Sequence, residues 1–573
     1  MGRFITSLLL AIPLIAFADG DFFVKELVFP QNADSVTKIE MASRLVPDSR
    51  QLAWQDLELT AFLHFGINTF TDREWGTGEE SPSLFNPDGL DADQWVKTLK
   101  DAGFRMVILT AKHHDGFCLW PTLTTPHSVA ASPWRDGKGD VVADLSEACR
   151  RHGIKLGLYL SPWDRNAPSY GDSPRYNDLF VEQLTELLSN YGKVDEVWFD
   201  GACGEGPNGK KQEYDWARFR ETITRLQPEA VLAIMGDDVR WVGNERGLGR
   251  ETEWSATALT PGILPGSDDA NARLGIFAMA PDLGGREIVA KADRLYWYPS
   301  EVDVSIRPGW FWHPDESPKS LRQLADIYLT SVGRNSVLLL NIPPDRSGKI
   351  SASDSTRIME LRRWIDRNFR PVSLPAKVNA VVLREDISKG QRVERFTVSA
   401  LSGGQWTSVA EGTTIGHKRI LTFDAVDADS LRLDIISSRS EPNIMPVEAC
   451  FITMPAENTA TDNTIIGLAS LPRTSDGSFV FYVGKQAPFS GIVYSPDPET
   501  DGGLVTKYRL FASNDALNWT EVPASGEFSN IENNPIPQTV MTPEISQNTP
   551  RYLMLSPVET VGSPVSISVS VIP

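Results

Sequence analysis

Histidine and cysteine are scarce in this chain, seven and four among 573 residues. Four thiols (Cys118, Cys149, Cys203, Cys450) cannot build a disulfide scaffold, and none stands in the Cys-x-x-Cys spacing of a structural zinc site. Buried free thiols are the simplest reading, with one bridge among the first three as the alternative. Positive charge is short as well: 55 Lys and Arg against 75 Asp and Glu leave a net charge of −20. That disfavours nucleic acid, because phosphate binding needs clustered cations. Beyond residue 18 no apolar run reaches the roughly 20 residues of a spanning helix. No P-loop, no H-E-x-x-H and no G-x-S-x-G occurs, and no G-x-G-x-x-G runs directly from a strand into a helix. Nucleotide, zinc-peptidase and serine-hydrolase chemistries thus lack their signatures.

The first 18 residues read as an export signal. Arg3 precedes the apolar stretch Ile5–Ile15, and Ala16-Phe17-Ala18 fits an A-x-A cleavage site. The mature chain is expected to start near Asp19 as a periplasmic or secreted protein without a membrane anchor.

From about residue 57 to 341, apolar strands alternate with amphipathic helices. Leu59–Phe65, Arg105–Thr110, Ile154–Leu160, Glu196–Asp200, Val231–Met235 and Ser336–Asn341 read as strands. Leu90–Gly103 and Asp140–Gly153 read as helices with an Asp cap and a closing Gly; Pro174–Gly192 reads as a third. The alternation implies parallel strands joined by crossovers. Its length fits a (β/α)₈-like TIM barrel with some helices missing or shortened in the second half; a doubly wound sheet is the alternative. Beyond Phe369-Arg370-Pro371 the text turns to short β runs separated by Gly, Ser, Asn and Pro, which predicts one or two β-sandwich domains. The expected division is 1–18 signal, 19–369 barrel, 370–458 first sandwich and 459–573 second sandwich.

In a barrel the chemistry gathers at the C-terminal ends of the strands. His64, Glu74 and Trp75 follow the first strand, His113 and His114 the second, Tyr159 and Trp163 the third, and Trp198 and Asp200 belong to the fourth. Asp200 ends an apolar strand ahead of Gly201, the rigid placement that a nucleophile needs; a plain loop cap is the competing reading. Glu245 stands between Gly243 and Gly247 with Trp241 nearby, where an aromatic surface can raise a carboxyl pKa as a general acid requires. A solvent-exposed loop Glu is the competing reading, and Asp237 and Asp238 are rival acids. His113 and His114 are adjacent on a segment read as extended, so their side chains should point apart, which makes joint metal ligation awkward. The aromatic run Tyr296, Trp297, Tyr298, Trp310, Phe311 and Trp312 is denser than core packing asks for.

The segments LHFGINTFTDREWG, AKHHDGFCLW, GLYLSPWD, EVWFDGACGEG and LLLNIPPDRSG together resemble the family 29 glycoside hydrolases, the retaining α-L-fucosidases, over residues 50–345. The resemblance implies a barrel followed by a β-sandwich, no cofactor and no metal. It implies Asp200 as nucleophile, and His64, Glu74, Trp75, His113 and His114 as residues that grip fucose hydroxyls. It further implies Tyr159 and Trp198 beside the sugar and Trp310 near its methyl group. WVGNERG resembles the branch that cleaves α-1,3 and α-1,4 linkages on branched, Lewis-type glycans, with Glu245 as acid/base. YRLFASNDALNWTEV resembles a discoidin, or coagulation-factor 5/8 type C, sandwich. The implied partners are fucosylated oligosaccharides or glycoconjugates, with L-fucose released by double displacement. A broad or α-1,2-specific fucosidase, a non-catalytic glycan-binding barrel and a metal-dependent hydrolase built on His113 and His114 remain open at this point.

Overall fold

The computed structural model describes residues 22–456, 466–484, 489–496, 503–524, 526–528, 530–532, 534–542, 550–564 and 567–572. The expected export segment lies outside them. Eight parallel strands form the central sheet: β1 (Leu59–Leu63), β2 (Met106–Lys112), β3 (Lys155–Leu160), β4 (Glu196–Phe199), β5 (Val231–Ile234), β6 (Arg240–Trp241), β7 (Ser300–Ser305) and β8 (Ser336–Asn341). Their order is β5-β4-β3-β2-β1-β8-β7-β6. A parallel bridge between Ala233 and Val239 brings the two edges together, so the barrel is nearly closed. Every residue of β2 and of β8 is buried, the pattern of strands covered on both faces.

Helices α1 (Ala92–Asp101), α2 (Val141–His152), α3 (Ser173–Asn190), α4 (Trp216–Leu226), α5 (Leu321–Thr330) and α6 (Ala352–Asn368) wrap the barrel. The Asp91 and Asp140 carboxylates cap α1 and α2 by accepting from the backbone N–H groups of Gln94 and Ala143 at 3.0 and 2.8 Å. Helix α1 buries Trp95, Val96 and Leu99 at helical spacing against the sheet. No helix separates β5 from β6. The span between β6 and β7 carries only the short helices Ser267–Leu274 and Arg286–Lys291. These are the missing and shortened helices that the sequence leads one to expect.

Strand β1 stops two residues before its expected end because side chains take over the hydrogen bonds. Asn341 Oδ1 accepts from the His64 N–H at 3.1 Å, and Thr110 Oγ1 accepts from the Phe65 N–H at 3.2 Å. The string Gly204-Glu205-Gly206-Pro207-Asn208-Gly209 fits the letters G-x-G-x-x-G, but it folds as a loop well short of α4 and opens no helix. All four cysteines are free thiols, three of them buried. No helix among the described residues is long and apolar enough to cross a membrane.

The C-terminal half is antiparallel. Two three-stranded sheets pack around Val381, Phe396, Val398 and Leu433, the first centred on Ala376–Leu383 and the second on Val393–Ser402. A four-stranded and a five-stranded sheet then enclose a separate core that includes Phe481, Tyr494, Tyr508 and Leu555.

Candidate active site

A cavity of about 730 Å³ opens at the C-terminal ends of the barrel strands. It is lined by His64, Trp75, His113, His114, Tyr159 and Trp198, and also by Asp200, Glu245 and Trp310. Asp237 and Asp238, the rival acids, do not line it. They are held in ion pairs with Lys25, Arg50 and Arg220.

The strand ends set the histidines. Asn341, at the end of β8, donates through Nδ2 to the Trp310 carbonyl at 2.7 Å, which fixes the orientation of its amide. Its Oδ1 therefore accepts from His64 Nδ1 at 2.9 Å, and His64 Nε2 carries no proton. Burial pushes the His64 pKa down to about 3, so the ring is neutral. His113 is held well below the usual histidine range by burial and by the two neighbouring imidazoles. Its Nδ1 has no hydrogen-bond partner among the described residues. His114 is likewise lowered by burial, against the pull of Asp200. Ser161 Oγ donates to the Trp163 carbonyl at 2.6 Å and accepts from His114 Nδ1 at 2.7 Å. That leaves His114 Nε2 as an acceptor 3.7 Å from Asp200 Oδ2. Each of these two acceptors can take a hydrogen bond from its own sugar hydroxyl.

One expectation about this pair is corrected. His113 and His114 do not point apart: their ring centroids lie 4.2 Å from each other and both rings face the cavity. The chain leaves the extended conformation after β2, and a turn closed by the Gly116 N–H on the His113 carbonyl at 3.0 Å brings both rings to one side. Among the described residues, no three His, Cys, Asp or Glu side chains form the cluster a metal ion needs.

Asp200 follows β4 at the cavity floor with its side chain 29% exposed. It accepts from the Ala202 N–H at 2.8 Å and from the Tyr159 hydroxyl at 3.2 Å. Tyr159 is stacked 5.1 Å from Trp198, whose indole N–H donates to Glu301 at 2.8 Å. Trp54 and Trp241 donate in the same way to Glu196 and Asp303, both at 2.8 Å. Burial pushes all three carboxyls up, Glu196 and Asp303 to about 8 and Glu301 well above its ordinary value. A column of buried acids therefore holds Trp198 and Trp241 in the cavity wall and Trp54 outside it.

Glu245 lies on the loop after β6. Gly243 takes φ +102, and a side chain there would collide with Ala278 and Met279, so only glycine lets the loop pass. Glu245 accepts from the Trp310 indole N–H at 3.3 Å and from the side chain of Asn530. Its enclosure and the nearby Asp303 and Asp200 carboxylates push its pKa up to about 8, against the pull of those two donors. One carboxyl is thus poised to hold a proton near neutrality beside another that can attack.

Glu74 is placed differently from the other expected sugar-binding residues. It does not line the cavity. Its carboxylate is buried, accepting from the Trp310 and Phe311 N–H groups at 2.8 and 3.2 Å and pairing with His313 Nε2 at 2.6 Å. His313 Nδ1 meets Asp72 at 2.8 Å. Hydrogen bonds to both carboxylates outweigh burial and raise His313 to about 11, so it is an imidazolium. Glu74 thereby anchors the segment that carries Trp310. His313→Ala leaves this carboxylate buried without its cation, and the expected loss is about 3–5 kcal/mol of stability at neutral pH. Because its folded pKa is raised, the His313 contribution is complete below about pH 6.5, its unfolded value. It disappears as pH rises through about 11. Urea unfolding of both proteins at pH 6 and pH 9 measures this; a difference under about 1 kcal/mol at pH 6 would contradict it.

Sequence reasoning missed Asn341, Ser161, Asp303, His313 and Asn530. Asn341 carries a readable signal, since it closes the apolar run Val337–Leu340 of its strand. Asn530 carries none.

The profile of the α-L-fucosidase family matches residues 51–253 and 268–369. Alpha-L-fucosidase 1 of Arabidopsis thaliana is 42% identical over 452 residues, covering 70% of this chain and 86% of its own length. A crystal structure from Bacteroides ovatus is similar with 52% identity and a TM-score of 0.76, over 96% of this chain and 100% of that one. A GH29 fucosidase of Ruminococcus gnavus in complex with fucose is 31% identical with a TM-score of 0.61, over 71% of this chain and 95% of that one.

Proposed function

Since the chain belongs to the α-L-fucosidases of glycoside hydrolase family 29, glycosidases that release fucose, we propose that it does so with Asp200 as nucleophile and Glu245 as acid/base. The observation that carries this reading is one cavity that Asp200 and Glu245, carboxyls of unlike environment 45 residues apart in sequence, share with three neutral imidazoles. Asp200 attacks the anomeric carbon while Glu245 gives its proton to the departing oxygen. A fucosyl ester forms on Asp200. Glu245, now a carboxylate, takes a proton from water, and the water displaces the ester with net retention.

Neutral imidazoles suit sugar hydroxyls, since each offers one acceptor and one donor with no charge to desolvate. His64 Nε2, His113 and His114 Nε2 serve this role, and an epimer with a misplaced hydroxyl would leave a buried nitrogen unpaired. Trp75, Tyr159, Trp198 and Trp310 supply apolar faces for the C–H side of the ring and for its methyl group. Glu74 acts on the sugar through the Trp310 segment.

For linkage we propose α-1,3 and α-1,4 bonds on branched glycans. The WVGNERG loop supports it. So does a cavity whose outer wall reaches Asn271, Phe277 and Asn530, beyond what one deoxyhexose fills. A panel of α-1,2, α-1,3, α-1,4 and α-1,6 fucosylated oligosaccharides scored for free fucose is the test. Release from Lewis-type trisaccharides at least tenfold faster than from 2′-fucosyllactose is expected; the reverse order would assign the α-1,2 bond instead. The apolar N-terminal segment supports export, which N-terminal sequencing of the mature protein would check.

A further inference from the structure

We propose that the second β-sandwich is a working part of the catalytic centre: its Asn530 positions Glu245 and forms the leaving-group side of the cavity. This rests on Glu245 being the acid/base. Asn530 lines the same cavity as Asp200 and Glu245, and among the described lining residues it alone comes from beyond the barrel. It also lies outside the residues that the family profile matches. Its side chain hydrogen-bonds Glu245.

The turn that presents Asn530 is firmly held. Phe528 is stacked between Tyr494 and Tyr508, with centroids 4.2 and 4.3 Å away, and its N–H donates to the Thr506 carbonyl at 2.9 Å. Ile531 is buried in the sandwich core. The Asn530 carbonyl accepts from the Asn534 N–H at 2.9 Å. Asn530 has φ +50, a conformation that Asn adopts more readily than most residues. The sandwich also meets the barrel rim next to this turn, where Asp72, Glu74 and His313 face Lys507, Glu527 and Phe528 across a second cavity.

When Glu245 gives up its proton it becomes a carboxylate. Two fixed donors then face it: the Trp310 indole N–H from the barrel and the Asn530 amide from the sandwich. They stabilise the conjugate base as it forms and so ease proton transfer to the leaving oxygen. They also hold the carboxyl in one orientation. The leaving saccharide passes beside the same amide, so Asn530 acts on long substrates more than on small aglycones.

The test is the pH profile of kcat/KM on a fucosylated trisaccharide, measured with the full chain. Asn530→Gly keeps the backbone conformation and removes the donor. Asn530→Asp keeps the shape and replaces the donor by a charge. Both variants raise the Glu245 pKa, so the alkaline limb moves up: by about one pH unit for Gly and further for Asp. Trisaccharide kcat/KM at pH 7 falls about tenfold while activity on an activated aryl fucoside changes less. A structural role alone would lower the melting temperature and leave the limb in place. A limb unmoved in both variants, or moved only by the Asp charge, overturns the proposal. Glu245→Ala on the aryl fucoside is the separate control: an alkaline limb that persists there sinks the acid/base reading itself, whatever Asn530 does.

Discussion

Asp200→Ala is expected to stop fucose release from glycans, with a loss on the order of 10⁴-fold or more in kcat. Alanine offers no electron pair to the anomeric carbon, and Glu245, the other carboxyl of the proposed pair, is occupied with the leaving oxygen. The fold should survive, because Asp200 sits at a strand end with its side chain 29% exposed and gives up only the Ala202 N–H and Tyr159 hydroxyl contacts. A melting temperature within a few degrees of the parent is expected. Fucose should still bind, since the three imidazoles remain. Azide gives the sharpest readout. It is small enough to enter the space left by the carboxylate, and attack from that face gives β-fucosyl azide, with inverted configuration. Alanine at 200 with glycan turnover within a hundredfold of the parent would remove Asp200 from the mechanism.

The second large effect separates the two carboxyls. Glu245→Ala removes the proton donor, so natural glycans, whose leaving alkoxide needs protonation, should lose about 10²–10⁴-fold. An aryl fucoside with an acidic phenol leaves without help, and its first step should be nearly unchanged. The fucosyl ester on Asp200 then waits for a base that is gone, so it accumulates and is visible as an added fucosyl mass. Azide here attacks that ester and yields α-fucosyl azide, with configuration retained. The opposite stereochemistry from the two alanine variants is the signature of a nucleophile and an acid/base in these positions. The parent has a matching pH dependence. Glu245 works as an acid only while protonated, and its pKa is raised to about 8. Glycan kcat/KM should therefore be sustained at neutral pH and fall as pH rises through about 8. A fall centred near pH 5 would show that Glu245 is not held as the structure describes.

Much of the fold was legible because it is written in short-range terms. The caps at Asp91 and Asp140 act three residues away, on Gln94 and Ala143. The strand Ser336–Asn341 was read to its ends because every residue in it is buried, so composition alone marks it. Legibility failed where a long-range contact overrides a local rule. Leu59–Phe65 was read two residues too long because the side chains of Asn341 and Thr110 take the hydrogen bonds of His64 and Phe65. His113 and His114 were expected to diverge because period-two alternation holds only in a strand, and the turn after β2 ends it.

The same division runs through the site. Order along the chain determined that His, carboxylate and aromatic residues stand at successive strand ends, since alternating apolar strands and helices leave them few other places. That order also made Asp200 and Glu245 candidates. It said nothing about the His313 imidazolium that occupies Glu74, the column of buried acids beneath Trp198 and Trp241, or the Asn530 amide on Glu245. Those depend on which side chains meet when residues 241 and 303, 74 and 313, or 245 and 530 are folded together. The state of a proton depends on burial and on neighbours within a few ångströms. Neither is a property of the residue or of its place in the chain; both exist only once the barrel has closed and the second sandwich stands at its rim.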